Sequence, residues 1–218
     1  MIESFYSPIS VDLVDSMGND LRVANVARTS FAKWKEESDE SDVKLINYLA
    51  RHEHTSPFRH TAITLRCSVP IFLARQLGKH QIGMSWNEES RRYVDTGIKL
   101  YRHEEYRARP EGGIKQGSAG VHEFSDYFGC LVDQHNERAL RLYDDMIKDG
   151  VAPEQARGIL PQDMMVTFIW TGSLTAFAHM CRLRMDGHAQ KEAQVFAKMV
   201  SDIIEPIFPV SWKALHEE

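Results

Sequence analysis

The chain has 218 residues, 43% of them apolar and 26% charged, with 13 Gly and 8 Pro, a balance that supports a sizeable core and excludes collagen-like, disordered and mini-protein classes. A formal net charge of −5 disfavours polynucleotide binding, which calls for a basic excess that displaces counterions, but leaves small anions within reach of a few local arginines. Cys67, Cys130 and Cys181 are widely spaced and form no CxxC pair, so neither a disulfide framework nor a structural zinc is indicated. The longest apolar stretches, such as MMVTFIW at 164–170, fall short of the roughly 20 residues of a membrane span. The N-terminus has early acids and no basic region ahead of an apolar block, so a cytoplasmic protein is expected.

KWKEESDESD at 33–42 reads as a solvated loop leading into a helix capped by Asp39 or Ser41. From Asp42 to His52, Val43, Leu45, Ile46, Leu49 and Ala50 recur at helical spacing. HEHTSPFRH breaks that pattern, and TAITLRCSVPIF at 61–72 reads as a strand ending near Pro70, which can also open the helix IFLARQLGKH. QIGMSWNEESRRYVDTG reads as an irregular loop passing into an extended stretch, and RPEGGIKQGSAG at 109–120 as an exposed loop or flap. A long helix is expected from Val121 to Asp149, with Phe124, Tyr127, Phe128, Leu131, Leu140 and Tyr143 among its apolar positions and Gly150 as a stop. Pro153 opens a short helix, MMVTFIWTGS is a further strand, and helices follow at LTAFAHMCRLRMD and from His188 to about Ile204. Without regular βαβ alternation, the sum predicts an α+β fold.

The densest polar constellation is RQLGKHQIGMSWNEESRRY at 75–93. On a helix Gln76, Lys79 and His80 share a face, and in extended chain Glu88, Ser90 and Arg92 point one way. Such a set suits a phosphorylated small molecule, with cations on phosphate and acceptors on sugar or base; taken alone, it reads more simply as a solvated loop whose charges pair with one another. A second group is RLRMDGHAQKE at 182–192, where Arg184 and His188 are four apart; a helix end with cations at the negative pole of its dipole is the plainer account. Arg28 and Arg157 are isolated cations for which a surface role is expected. His52, His54 and His60 lie close in sequence but show no helical metal-ligand spacing, so no metal site is expected. Phosphate-binding GxGxxG and GxxxxGK[ST] motifs are absent, as is a GxSxG nucleophile.

Taken together, these segments resemble flavin-dependent thymidylate synthases. RQLGKHQIGMSWNEESRRYV is similar to that family's signature, an Arg-His-Arg triplet followed after seven residues by Ser within RQ..RHR...S.NE.S.RY. Four further segments match in order: AxVARTSF at 24–31, HTSPFRH at 54–60, QARGILP at 155–161 and LRMDGHAQKE at 183–192. The chain departs from the pattern in its triplet, here Lys79, His80 and Gln81, and in the eight residues before Ser90. Arg59 stands where the family often has Glu, and Ser173 where Asn is common.

The resemblance implies a single domain over 1–218, with helices around a small, mainly antiparallel sheet, in a homotetramer whose subunits share active sites. It implies methylation of dUMP to dTMP with methylenetetrahydrofolate as one-carbon donor and FAD, reduced by NADPH, as hydride source. Arg184 would be the catalytic cation facing the uracil ring. Gln76, Lys79, Glu88, Glu89, Ser90, Arg91, Arg92 and Arg157 would join Arg184 in binding dUMP. Ser30, Ser56, Lys79, His80, Gln81, Ile82, Ser173, His179 and His188 would contact FAD. Two other readings remain at this stage: a non-catalytic nucleotide- or flavin-binding homologue that lost turnover with its altered triplet, and a histidine-metal hydrolase centred on 52–60.

Overall fold

The computed structural model describes residues 5–112 and 117–216. Four strands, β1 (Ser10–Met17), β2 (Ala62–Pro70), β3 (Met84–Glu88) and β4 (Met165–Gly172), form one antiparallel sheet in the order β1-β2-β4-β3. Among the described residues eight helices accompany it: α1 (Asp20–Arg28), α2 (Glu40–Arg51), α3 (Ile71–Leu77), α4 (Ser125–Lys148), α5 (Pro153–Ala156), α6 (Leu174–Arg184), α7 (Lys191–Ile204) and α8 (Pro209–His216). This is the expected α+β class. Among the described residues no helix is long and apolar enough to cross a membrane.

The chain clusters into two compact units. The first comprises the described residues of Met1–Ser10, Ser68–Gly78 and Asn87–Phe168; the second comprises those of Val11–Cys67, Lys79–Trp86 and Ile169–Glu218. All four strands contribute residues to both. The core of the first unit contains Leu73, Leu77, Leu100, Tyr143, Met164 and Phe168, all buried. That of the second is built on Ile46, Phe58, Ile63, Leu65, Phe177 and Phe196 around Trp170, whose ring meets Phe177 edge-on at 5.4 Å.

Local chemistry explains where the second unit's helices begin. Asp39 caps α2 in a capping box: its carboxylate accepts from the Ser41 amide at 2.8 Å, and Asp42 accepts from the Asp39 amide at 2.7 Å. Asn19 caps α1. The N-terminus of α8 is capped from far along the chain, since Asp20 accepts from the Val210 and Ser211 amides at 2.9 and 2.8 Å. Ser173 caps α6, and the buried Thr61 hydroxyl accepts the Leu174 amide while donating to the Phe58 carbonyl.

Several expectations are corrected. Within the stretch read as an irregular loop passing into an extended one, the extended part is β3, a five-residue strand MSWNE exposed at three positions and paired in the sheet. The long helix starts at Ser125 rather than Val121, because Val121 is held in an antiparallel bridge to Arg107. That bridge, with the Ala108 amide donating to the Gly120 carbonyl and the Ala119 amide to the Ala108 carbonyl, closes the base of the Gly-rich loop, whose residues 113–116 lie outside those described. Arg28 is not a surface cation: it forms an ion pair with Asp42, which is 1% exposed. His52 and His54 stand 6.3 Å apart ring to ring, each beside Tyr48.

Candidate active site

In the first unit, two of the singled-out arginines converge on one residue. Pro153 opens α5, so that Glu154 faces Arg92, with Nε 3.9 Å from the carboxylate, while Arg157 Nε donates to the Glu154 carbonyl at 3.3 Å. Both guanidinium groups are exposed and only loosely engaged. Arg92 also lies over the Tyr93 ring at 5.5 Å, which limits its swing. Ser90 accepts from the Arg92 amide at 3.3 Å, fixing the turn that presents the arginine.

Arg91 is employed differently. It is 7% exposed and donates to the carbonyls of Thr96 at 2.7 Å and Val94 at 3.4 Å, with Glu89 3.3 Å away as counter-ion. It closes the 89–96 turn from within. Gln76, on α3, carries a buried Oε1 with no hydrogen-bond partner among the described residues. A buried acceptor left in that state costs free energy, so its amide is suited to a donor from a ligand or water.

After Gly78 the chain passes into the second unit, where His80 lies against α6. Arg184, in the last turn of α6, donates from Nε to His80 Nε2 at 3.0 Å, and the His179 ring stands edge-on to His80 at 6.3 Å. Burial first, then the neighbouring Arg184 and His179, push the His80 pKa down to about 4. His80 is therefore neutral near pH 7 and able to accept. Burial also lowers the Arg184 pKa, but a guanidinium stays charged in any case.

Beside this pair runs a groove of about 910 Å³ in the same unit, lined by Arg51, Thr55, Arg59, Ile82, Gly83, Ser173, Thr175, His179 and Arg182 among others. Gly83 takes φ +73° and its carbonyl accepts the Ser173 amide at 3.2 Å, bringing the 82–83 turn against the start of α6. At Gly172 a Cβ would collide with Met84 Sδ and sit 3.1 Å from the Phe177 ring, so a larger residue there requires the Met84 side chain to move. Ile82 projects almost fully exposed, at 94%. The Thr175 hydroxyl is buried without a partner among the described residues.

A family model described as thymidylate synthase complementing protein matches residues 12–210. The chain is 34% identical over 209 residues to the flavin-dependent thymidylate synthase of Thermotoga neapolitana, covering 94% of this chain and 89% of that one. The chain belongs to the flavin-dependent thymidylate synthase family. A further relative of the same name, from Thermus thermophilus, is 33% identical over 95% of this chain and 75% of its own. Among solved structures, the UMP/dUMP methylase PolB from Streptomyces cacaoi bound with 5-Br dUMP superposes with a TM-score of 0.86 at 31% identity, covering 95% of this chain and 94% of that one. The same methylase bound with 5-Br UMP gives 0.85 at 30% identity, over 96% and 94% of the two chains.

For a member of this family, the assigned residues sort by unit. Gln76, Glu88, Glu89, Ser90, Arg91, Arg92 and Arg157 fall in the first unit, whereas Lys79, Arg184 and every flavin candidate fall in the second. Of the flavin candidates, Ile82, Ser173 and His179 line the groove, and His80 contacts His179. Lys79 and Gln81 are exposed neighbours of His80. Ser30 lies exposed in the 3-10 turn Thr29–Phe31, Ser56 precedes the turn Pro57–Arg59, and His188 is turned to Asp186 at 3.0 Å; none of these three lines the groove.

Thr55, Thr175 and Arg182 were missed. Thr175, His179 and Arg182 lie at i, i+4, i+7 on α6, a polar stripe that the spacing within the expected helix LTAFAHMCRLRMD carries. The donor set fits a flavin: cations at Arg51, Arg59 and Arg182 suit anionic oxygens, the orphaned Thr175 hydroxyl offers a donor, and Ile82 offers an apolar surface.

Proposed function

We propose that the protein methylates dUMP to dTMP, drawing the one-carbon unit from methylenetetrahydrofolate and the reducing equivalents from NADPH by way of FAD. The observation that carries this reading is the family match over residues 12–210, since it takes in every motif assigned above. Arg92 and Arg157 would engage the phosphate by charge-assisted hydrogen bonds, displacing the loose 3.9 Å Arg92–Glu154 contact. Gln76 would offer its unsatisfied amide oxygen to a substrate donor. The 82–83 loop, Ser173 and His179, with Thr55, Thr175 and Arg182, would hold the flavin. When bound, the reduced flavin supplies the hydride that completes the methyl group.

Arg184 would face the uracil ring, where a fixed cation stabilises negative charge gathering on the pyrimidine as C5 becomes nucleophilic. No activated cysteine is required for this chemistry, in keeping with the state of the thiols: burial pushes Cys67 and Cys181 far above the ordinary value. Ser90, bonded to a backbone amide, serves orientation rather than attack. The protein would work as a homotetramer in the cytoplasm.

The reading is tested by assaying dTMP formation after stripping flavin from the purified protein and then restoring FAD, with dUMP, NADPH and methylenetetrahydrofolate supplied. FAD-dependent dTMP is expected. Flavin and dUMP binding without product would instead favour a non-catalytic homologue. UMP belongs in the same assay, because the methylase PolB is solved with both 5-Br UMP and 5-Br dUMP.

A further inference from the structure

We propose that His80 is a positioning residue for Arg184: its imidazole accepts the Nε–H of the guanidinium, fixes the plane of that group, and leaves both terminal amino groups directed to the substrate. The inference rests on the reading of Arg184 as the cation facing the pyrimidine, and it adds the element that orients it.

The geometry is specific. The bond is 3.0 Å long and joins residues 104 positions apart. Arginine has five N–H donors and no acceptor. One donor is spent on His80, and the terminal amino groups have no partner among the described residues. The planar fork is thus held at its base and open at its edge, as recognition of two adjacent acceptors requires.

Because the guanidinium can only donate, Nε2 must carry the lone pair and Nδ1 the proton, so the contact dictates one tautomer of a neutral ring. The charged or titratable groups facing His80 are Arg184 and His179, both from α6, and both oppose a proton on it. A carboxylate in the same place would also orient the arginine, but it would offset the positive charge on which stabilisation of the pyrimidine depends. A neutral imidazole orients the cation without cancelling it. Arg184 can hold a fixed direction only if something on another segment restrains its long side chain, and His80, reached through the turn after α3, supplies that restraint.

The test uses the full chain with FAD bound and the variants His80→Gln and His80→Phe. Glutamine retains an acceptor; phenylalanine keeps a ring without one. With FAD held at saturation, His80→Phe is expected to lower kcat at least tenfold, and His80→Gln to restore most of the loss. Equal impairment in both variants would overturn the positioning role. Nitrogen-15 NMR of histidine-labelled wild-type protein, compared with Arg184→Ala, gives a readout independent of turnover and of how the His80 variants fold. The Nδ1–H tautomer at pH 7 in the wild type, lost or mixed in Arg184→Ala, is the expected result; an Nε2–H or protonated ring in the wild type would refute the proposal. Should the wild type make no dTMP, the functional reading falls while the tautomer still decides whether His80 holds Arg184.

Discussion

Replacing Arg28 by alanine probes the ion pair that the fold buries between α1 and α2. Asp42 is 1% exposed and pairs with Arg28, while its other oxygen accepts the Asp39 amide at 2.7 Å and lies 3.4 Å from Lys35 Nζ. Removing one partner of a buried pair costs about 3–5 kcal/mol, because the remaining charge is left in a poor solvent. Here the Asp39 amide and Lys35 still serve the carboxylate, which puts Arg28→Ala at the lower end, about 3 kcal/mol. With a urea m-value near 3 kcal/mol/M for a chain of this size, the unfolding midpoint should fall by about 1 M. A double-mutant cycle with Asp42→Asn should return a coupling of at least about 1 kcal/mol.

The same pair has a pH signature. Burial opposes ionisation of Asp42, but the Asp39 amide and Arg28 outweigh it and hold its pKa below the ordinary value. The stabilisation is therefore present above about pH 4 and lost as the pH falls through the lowered folded-state value. An Arg28→Ala midpoint within about 0.2 M of wild type would show that the pair contributes nothing of this order and refute the reasoning.

Arg184→Ala should reduce dTMP formation by a factor on the order of 100–1000 while flavin stays bound, as judged by turnover and by the visible absorbance of the purified protein; wild-type turnover would remove Arg184 from the chemistry. Arg157→Ala should weaken dUMP binding by roughly 10–100-fold in calorimetry, and an unchanged dissociation constant would contradict its assignment to phosphate. Gly172→Ala places a methyl group against Met84 and Phe177 and should lower Tm by on the order of 5 °C; an unaltered melting curve would mean that the strand yields freely there. His80 titrates near 4 when folded and near 6.5 when unfolded, so the unfolded chain binds the extra proton between these values. Its contribution to stability is full above about pH 6.5 and declines toward pH 4, a slope that His80→Gln should remove from the pH dependence of the urea midpoint.

How much of this was legible in the sequence depended on whether the signal was local. Helix α2 was readable because its apolar period and its Asp39 cap lie within one short segment. Strand β2 was readable from its alternation, since the positions buried in the fold are largely the apolar ones. Strand β1 gave no such signal: it ends the strand order, and Leu13, Val14 and Met17 are all exposed, so polar and apolar residues do not segregate. Helix α8 is only eight residues long and takes its cap from Asp20, which no local pattern could announce. The first half of α4 carries exposed Tyr127, Phe128 and Leu131, so its apolar residues mark a helix correctly but not a core within one chain.

At the site, motif order identified the family, and the predicted Ile82, Ser173 and His179 do line one groove. Sequence could not distinguish Arg91, turned inward onto carbonyls, from its exposed neighbour Arg92. Nor could it show that Arg28 is half-buried against a buried carboxylate, since that depends on Asp42 arriving from another helix. The pairing of His80 with Arg184 depends equally on the tertiary fold.

The most direct test of the central claim follows the carbon itself. Methylenetetrahydrofolate labelled with carbon-13 at its methylene group is incubated with the flavin-stripped protein, NADPH and dUMP, with and without FAD, and the nucleotide is read by mass spectrometry. The account predicts dTMP one mass unit heavier than unlabelled dTMP, formed only when FAD is present. Recovery of unmodified dUMP from protein that has demonstrably bound both FAD and dUMP would contradict it.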